Sequence, residues 1–427
     1  MKISPARIAA FEILLKIGRE KAFSSVLLPL FEKDLAASDR GLCHQLTLGI
    51  LRKQLYLDKI IAEFTNGKKL DPAVKIALRI GLYQLLFLDK VPDYSAINES
   101  VNLVQYAKKT SAKGFVNAIL RRATREAVSF NFAGETERIS IETSHPAWLI
   151  EKWIASFGIE ETEKLAAANN EIPPVAFRFT AKGSFKEAKN ADRSEFVDGC
   201  FTAETIDAEM LDFAEKGEIY FQDEASQMVA AAIELKDGDK FLDVCAAPGS
   251  KATQIAERGM RNAELIVTGD LHYQRLQFMR GNCQKQGVDF VNVLQYDAVK
   301  SLPFADESFD IVLVDAPCSG TGTIRHNPEI RYFLDPADFA GLWQKQLAIL
   351  QNASKLVKPG GRLIYSTCSL EKEENEEVCS AFLSGDPDFE KTQPKVPGKF
   401  LRGAGFAQTF PHRDNMDGFF IASFERV

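Results

Sequence analysis

The sequence predicts three parts in chain order: an all-α bundle over 1–130, a small mixed α+β linking segment over 131–220, and a doubly wound α/β domain over 221–427. Apolar residues recur at three- and four-residue spacing almost continuously from Pro5 to about Arg125, as amphipathic helices require. From Lys240 onward, near-continuous apolar runs alternate with helical patterns, the habit of strands buried on both faces of a mostly parallel sheet. A chain of 427 residues also exceeds what one hydrophobic core organises.

The front third reads as five to seven helices, carried by "ARIAAFEILLKI", "FSSVLLPLFEKDL", "LCHQLTLGILRKQLYLDKIIAEF", "PAVKIALRIGLYQLLFLDKV" and "SAINESVNLVQYAKK". Breaks fall where caps and turns belong, at Ser38-Asp39, Asn66-Gly67, Asp71-Pro72 and Val91-Pro92. In the middle part, "HPAWLIEKWIASFGIEETEKLAAANN" reads as one or two helices, "PVAFRFT" as a strand, and 190–220 as short strands; a helix "DEASQMVAAAIEL" then leads into the last domain. There the strands are "KFLDV", "ELIVTGD", "FVNVLQYD", "FDIVLVDAP", "GRLIYST" and a terminal "GFFIASF". Asp270, Asp297 and Asp315 stand at the ends of three of them, and the first carries Asp243 and opens into a glycine turn. Ligands of doubly wound sheets sit beyond the carboxyl ends of the strands, so a site is expected along that edge.

Composition narrows the function. Apolar residues at 45% and charged residues at 26% are ordinary for a soluble globular protein, and no run approaches a membrane span. The N-terminus reads as an amphipathic helix rather than a signal peptide, so the cytoplasm is the expected compartment. Seven Cys in no disulfide rhythm point to reduced thiols, and five His without ligand spacing give no metal signature. The net charge of −7 hides an asymmetry: residues 1–130 hold 21 Lys+Arg against 12 Asp+Glu, the remainder 31 against 47. A basic front third suits a polyanion.

In "DVCAAPGSKATQIAE" a strand gives way to a small-residue turn and a helix starting near Ser250. Small residues let a ligand approach the backbone, and the helix N-terminus offers free N–H groups to an anion. Neither GxGxxG nor a phosphate-cradling P-loop is present. The turn suits a ligand with a carboxylate and an adenosine; Lys251 is placed to neutralise that carboxylate, Asp270 to hold ribose hydroxyls and Asp297 to accept from an adenine amine. Any one of these acids alone would read as a helix cap; three after successive strands read as a site.

"AAPGSK", "DAPCSGTG" and "YSTCSLEKEENEEV" together resemble the Sun family of RNA 5-methylcytosine methyltransferases. "DRGLCHQLTLGILRKQLYLD", "ALRIGLYQLLFLDKVPDYSAINESVNLV" and "KGFVNAILRRA" resemble the NusB-like RNA-binding domain. The resemblance implies a Rossmann-like, S-adenosylmethionine-dependent methyltransferase domain with a mostly parallel seven-stranded sheet, behind a NusB-like bundle. It implies a monomer that needs no metal and methylates carbon 5 of a 16S ribosomal RNA cytidine in loosely structured RNA. Cys245, Ala246, Ala247, Pro248, Gly249, Ser250 and Lys251 would then wrap the methionine part of the cofactor, with Asp270 on its ribose, Asp297 near its adenine and Asp315 near both cofactor and base. Arg121, Arg122, Arg125, Arg275 and Arg325 would meet RNA phosphates. Two positions depart from the family pattern: Ser250 replaces a usual Gly, and "IRHNPEIRY" has His326 and Asn327 where Arg and His are common.

The chemistry explains why two thiols are wanted. Carbon 5 of cytosine is too weak a nucleophile to take a methyl group unaided. A thiolate adding at carbon 6 makes the ring an enamine, an acid such as Asp315 assists at ring nitrogen 3, and a base must then take the carbon 5 proton. Cys318 and Cys368 follow polar strand ends and fit these two roles; the residues alone nominate neither as the attacker. Resemblance to the RNA family nominates Cys368, leaving Cys318 to release product, whereas the Pro-Cys pair used by DNA cytosine methyltransferases would nominate Cys318. Cys245, Cys283 and Cys379 read as structural thiols, although Cys245 also lies in the cofactor turn. Amino methyltransferases carry an Asp/Asn-Pro-Pro-aromatic motif where this chain has "DAPC", which argues against that class. A tRNA target is the alternative within the class, and a non-catalytic RNA-binding assembly factor the alternative outside it.

Overall fold

The computed structural model describes residues 3–126, 128–183, 190–259, 263–403 and 405–427. The chain divides into two compact units, Met1–Glu171 with Ile324–Leu334, and Ile172–Thr323 with Asp335–Val427. Among the described residues no helix is long and apolar enough to cross a membrane.

In the first unit the periodic front third forms helices Pro5–Glu20, Ser24–Glu32, Ala37–Arg52, Gln54–Thr65, Pro72–Phe87, Asp93–Tyr106 and Lys113–Ala123. The long pattern 42–64 is two helices, because Lys53 leaves helical geometry at φ −116°, ψ 16°. Asp71 caps the next helix by accepting from the Ala73 N–H, with Pro72 at the first position, where its missing N–H costs nothing. Leu46, Leu57, Leu78, Leu82, Leu103 and Leu120 share one core.

Three more helices, Glu135–Thr143, Ala147–Phe157 and Ile159–Ala168, also belong to this unit. The boundary at Glu171 therefore lies apart from the sequence-based divisions at 130 and 220. Their attachment is direct: the Tyr56 N–H donates to Ser144 Oγ at 3.1 Å, and Lys59 pairs with Glu137 at 3.6 Å. The segment Ile324–Leu334 is held by buried polar groups. Arg331 donates to the carbonyls of Thr143 (3.1 Å) and Asn169 (3.2 Å), Glu329 accepts from the Ser24 N–H (2.6 Å), and the Tyr332 hydroxyl donates to the Leu51 carbonyl (2.7 Å).

The second unit opens with a small antiparallel sheet of β1 (Val175–Phe179), β2 (Asp192–Arg193), β3 (Cys200–Ala203) and β4 (Ile219–Phe221), ordered β2-β3-β1-β4. Its own core joins Phe177, Phe201 and Ile219 to Met210, from a helix Ala208–Lys216 that the sequence reading did not expect.

The large sheet contains β5 (Lys240–Asp243), β6 (Leu265–Asp270), β7 (Asn292–Gln295), β8 (Phe309–Asp315), β9 (Val357–Thr367), β10 (Phe389–Thr392), β11 (Ala407–Gln408) and β12 (Phe420–Arg426). The order is β10-β12-β9-β8-β5-β6-β7, with β11 paired to β12 off this path. Pairs β6/β7, β5/β6, β5/β8 and β8/β9 are parallel, while β12 runs antiparallel to both β9 and β10. Among the described residues it is thus a mostly parallel sheet with the expected seven strands in its path, and the two-residue β11 adds an eighth beside β12. Buried residues such as Leu242, Val267, Val312, Leu313, Leu363 and Tyr365 explain the near-continuous apolar runs.

Candidate active site

From β5 the chain runs outward through β6 and β7, then returns to the other side of β5 to lay down β8 and β9. The crevice beyond the carboxyl ends of β5 and β8 is therefore the topological switch point, where doubly wound sheets take their ligands. Asp243 and Asp315 are the last residues of those two strands, and Asp270 is the last of β6.

The turn after β5 is pinned to its neighbours. The Val244 N–H donates to the Leu313 carbonyl (2.9 Å), the Ala246 N–H to Gly269 (2.8 Å), and the Gly249 N–H back to Ala246 (2.7 Å). The Ala247-Pro248 peptide is cis. Gly249 has φ +102°, and a Cβ there would lie 2.6 Å from Met279 Cγ, so both conformation and space demand glycine. Ser250 starts the helix Ser250–Gly259, so its replacement of the usual Gly costs the turn nothing. Burial, then the charges of Asp243 and Asp270, raise the Cys245 thiol.

Asp315 accepts from Lys251 Nζ and from Ser366 Oγ, each at 2.8 Å. Lys251 thus pairs with Asp315, where the sequence reading gave it to a cofactor carboxylate; it also lies 4.9 Å over the Phe419 ring. Burial opposes its charge, but Asp315 holds its pKa above the ordinary value. Asp243 is fully buried; its Oδ1 accepts from the Cys245 N–H at 3.3 Å and its Oδ2 has no protein partner. Burial, then the like charge of Asp315, pushes its carboxyl up to about 8, so it is mostly protonated at neutral pH. Asp270 accepts from the His272 N–H (3.0 Å) and faces Arg275 Nη1 at 3.5 Å.

The two thiols of the quoted motifs meet. Cys318 Sγ and Cys368 Sγ are 3.3 Å apart, each partly exposed, although 50 residues separate them in sequence. Parallel pairing of β8 with β9 sets Asp315 opposite Ser366, so the loops after the two strands start in register. Those loops are stitched by the Gly322 N–H to the Cys368 carbonyl (2.9 Å) and by the Leu370 N–H to Thr321 Oγ1 (3.0 Å). The hydrogen bond with Cys368, then burial and the charge of Glu374, push the Cys318 thiol well above the ordinary thiol range.

The remaining residues singled out by sequence fall elsewhere. Asp297 lies two residues beyond β7, where it caps a turn through the Val299 N–H (3.1 Å) and pairs with Lys300 (3.5 Å). Arg121, Arg122 and Arg125 are exposed at the end of the helix Lys113–Ala123 in the first unit, with Arg122 4.6 Å over the Phe64 ring. Arg325, assigned to RNA by sequence, is 2% exposed in the first unit; a side chain so enclosed is structural and does not reach phosphate. Arg275, assigned to RNA by sequence, joins the Ala247 carbonyl to Asp270 and is half exposed. Sequence reasoning gave no role to Asp243, although its place before the glycine turn was a usable signal, nor to Glu374 and Asn375 of "EKEEN".

Residues 230–425 match the 16S rRNA methyltransferase RsmB/F family, 4–125 the NusB family, and 145–186 the ferredoxin-like domain of RsmF/B-like methyltransferases. The probable ribosomal RNA small subunit methyltransferase B of Bacillus subtilis (strain 168) is 36% identical over 455 residues, spanning 100% of both chains. The chain belongs to this family. The ribosomal RNA small subunit methyltransferase B of Pseudomonas putida is 33% identical over 99% of this chain and 98% of its own. The crystal structure of PH0851 aligns over 100% of both chains with a TM-score of 0.85 at 27% identity. NSun6 from Pyrococcus horikoshii with SFG shares the fold, with a TM-score of 0.59 at 21% identity over 66% of this chain and 98% of its own.

Members of this family are S-adenosylmethionine-dependent ribosomal RNA methyltransferases. The site fits that cofactor. An ammonium arriving at the unpartnered Asp243 Oδ2 would favour its carboxylate form, Asp270 lies at the next strand end for hydroxyls, and the helix beginning at Ser250 presents N–H groups to a carboxylate.

Proposed function

We propose that this protein methylates carbon 5 of a 16S ribosomal RNA cytidine through a covalent cysteine adduct. The 3.3 Å approach of Cys318 and Cys368 beside the Asp315–Lys251 pair carries this reading. S-adenosylmethionine supplies the electrophilic methyl group. Asp243, Asp270 and the turn Cys245–Lys251 would hold it.

The Cys368 thiolate adds to carbon 6 of the flipped-out ring, forming a carbon–sulfur bond. Nitrogen 3 takes its proton from the hydrogen-bonded Asp315–Lys251 pair, whose groups lie 2.8 Å apart. With carbon 5 methylated, the Cys318 thiolate removes the carbon 5 proton. The carbon 5–carbon 6 double bond re-forms, and Cys368 leaves as thiolate while nitrogen 3 returns its proton. Cys318, 3.3 Å from Cys368, is placed for the second role, its own proton being lost to solvent before it acts. Arg121, Arg122 and Arg125 hold phosphates of single-stranded or loosened RNA, since a stacked base cannot enter. The enzyme works as a cytoplasmic monomer without metal.

Bisulfite sequencing of 16S ribosomal RNA from a strain lacking the gene, with and without the gene restored, tests the proposal. One 5-methylcytosine should vanish and return. An unchanged 16S pattern, or loss confined to tRNA, would contradict it.

A further inference from the structure

A serine follows each thiol, Ser319 after Cys318 and Ser369 after Cys368. Their hydroxyls lie 3.1 Å apart and both donate to one carboxylate, Glu374, which is fully buried. The Ser319 N–H donates to the same carboxylate at 2.8 Å. Gln346 Nε2 donates to it at 2.9 Å and to the Pro317 carbonyl at 3.0 Å, fastening the residue before Cys318 as well. Both oxygens of Glu374 are thus filled by four neutral donors drawn from the Cys318 loop, the Cys368 loop and the helix Asp338–Ser354.

Burying a carboxylate with only neutral partners is costly, and an amide could not replace it, since it has one acceptor oxygen where Glu374 uses two. The next residue continues the fastening, with Asn375 Nδ2 donating to the Ser369 carbonyl at 2.9 Å. The bonds from Ser319 to Glu374 and to Ser369 limit how far one thiol loop can move from the other.

We propose that Glu374 is a positioning residue for methyl transfer, its carboxylate tying the residue after each thiol to a single point so that both sulfurs reach adjacent carbons of one target ring. This rests on the two-thiol reaction above.

The test uses full-length Glu374→Gln with two readouts. Diamide, a thiol oxidant, drives the neighbouring thiols to a disulfide with loss of two hydrogens, read by peptide mass without RNA or cofactor. Wild type should cross-link Cys318 to Cys368 rapidly and Glu374→Gln at least tenfold more slowly. In methyl transfer, Glu374→Gln should lose about 100-fold in kcat, the scale of an ångström-sized misplacement, while KM for RNA stays within about twofold. Glu374→Asp should recover part of both. Should Glu374→Gln fail to fold, Ser319→Ala with Ser369→Ala, which leaves the carboxylate in place, decides by the same readouts. Wild-type cross-linking and kcat in the folded variant would overturn the proposal. Slowed cross-linking with full methylation by both Cys318→Ala and Cys368→Ala would overturn the two-thiol reaction and the positioning role with it, while leaving the clamp geometry standing.

Discussion

Gly322→Ala should damage stability and catalysis together. A Cβ at Gly322 would lie 1.9 Å from the Gly418 carbonyl oxygen and 2.6 Å from its carbon, all backbone. An uncrowded carbon–oxygen contact needs ~3.3 Å, so the two segments must part by more than an ångström. Two hydrogen bonds sit at this contact, from the Gly418 N–H to the Gly322 carbonyl (2.8 Å) and from the Gly322 N–H to the Cys368 carbonyl (2.9 Å). Losing both in a buried setting costs roughly 2–5 kcal/mol, a fall of about 5–15 °C in Tm for a unit of this size. Because Cys318 lies four residues before Gly322 and the second bond ends on Cys368, the thiol pair moves too, and methyl transfer should fall roughly 100-fold. Thermal unfolding and transfer of labelled methyl groups to 16S RNA read the two effects. A variant with unchanged Tm and activity would refute this packing of the "GTG" and "DGFF" segments.

Asp243 makes stability depend on pH. Its folded pKa of about 8 stands above the ordinary value of 3.8, so its contribution is complete below about pH 4 and is lost as pH rises towards 8. Wild type relative to Asp243→Asn should therefore lose on the order of 2–5 kcal/mol between pH 4 and 8 in denaturant titrations; parallel curves would contradict the burial argument. Replacing Arg121, Arg122 and Arg125 together by Ala should lower the slope of log affinity against log salt by about 2 on single-stranded RNA, and an unchanged slope would remove them from the interface. Arg325→Ala should do the reverse, leaving that slope alone while destabilising the protein by roughly 2–4 kcal/mol in chemical unfolding.

Much of the catalytic end was legible because its cues are local. A buried parallel strand has an apolar run, a close backbone approach has a Gly, and a strand-end acid follows directly, which brought Asp270, Asp315 and the turn at Gly249 into view. What escaped depends on long-range packing. Arg325 reads as a free cation but is enclosed in the first unit, seven residues beyond Cys318, because Ile324–Leu334 joins a different core from the strands around it. Helices 135–168 stand next to a strand in sequence yet belong to the helical unit, with Ile139, Leu149, Trp153 and Leu165 buried. Asp297 looked like a strand end because it closes the run "VNVLQYD", whereas pairing with β6 stops at Gln295. The buried hydrogen bonds of Glu374 come from residues up to 55 positions away, beyond the reach of any pattern in one segment.

The division of labour between the thiols is tested most directly by denaturing electrophoresis of enzyme incubated with 16S RNA and S-adenosylmethionine. Cys318→Ala should accumulate a covalent protein–RNA band, because addition and methylation proceed but proton removal stalls, and Cys368→Ala should form none. The opposite pattern, or an adduct in neither variant, would contradict the assignment of Cys368 as nucleophile.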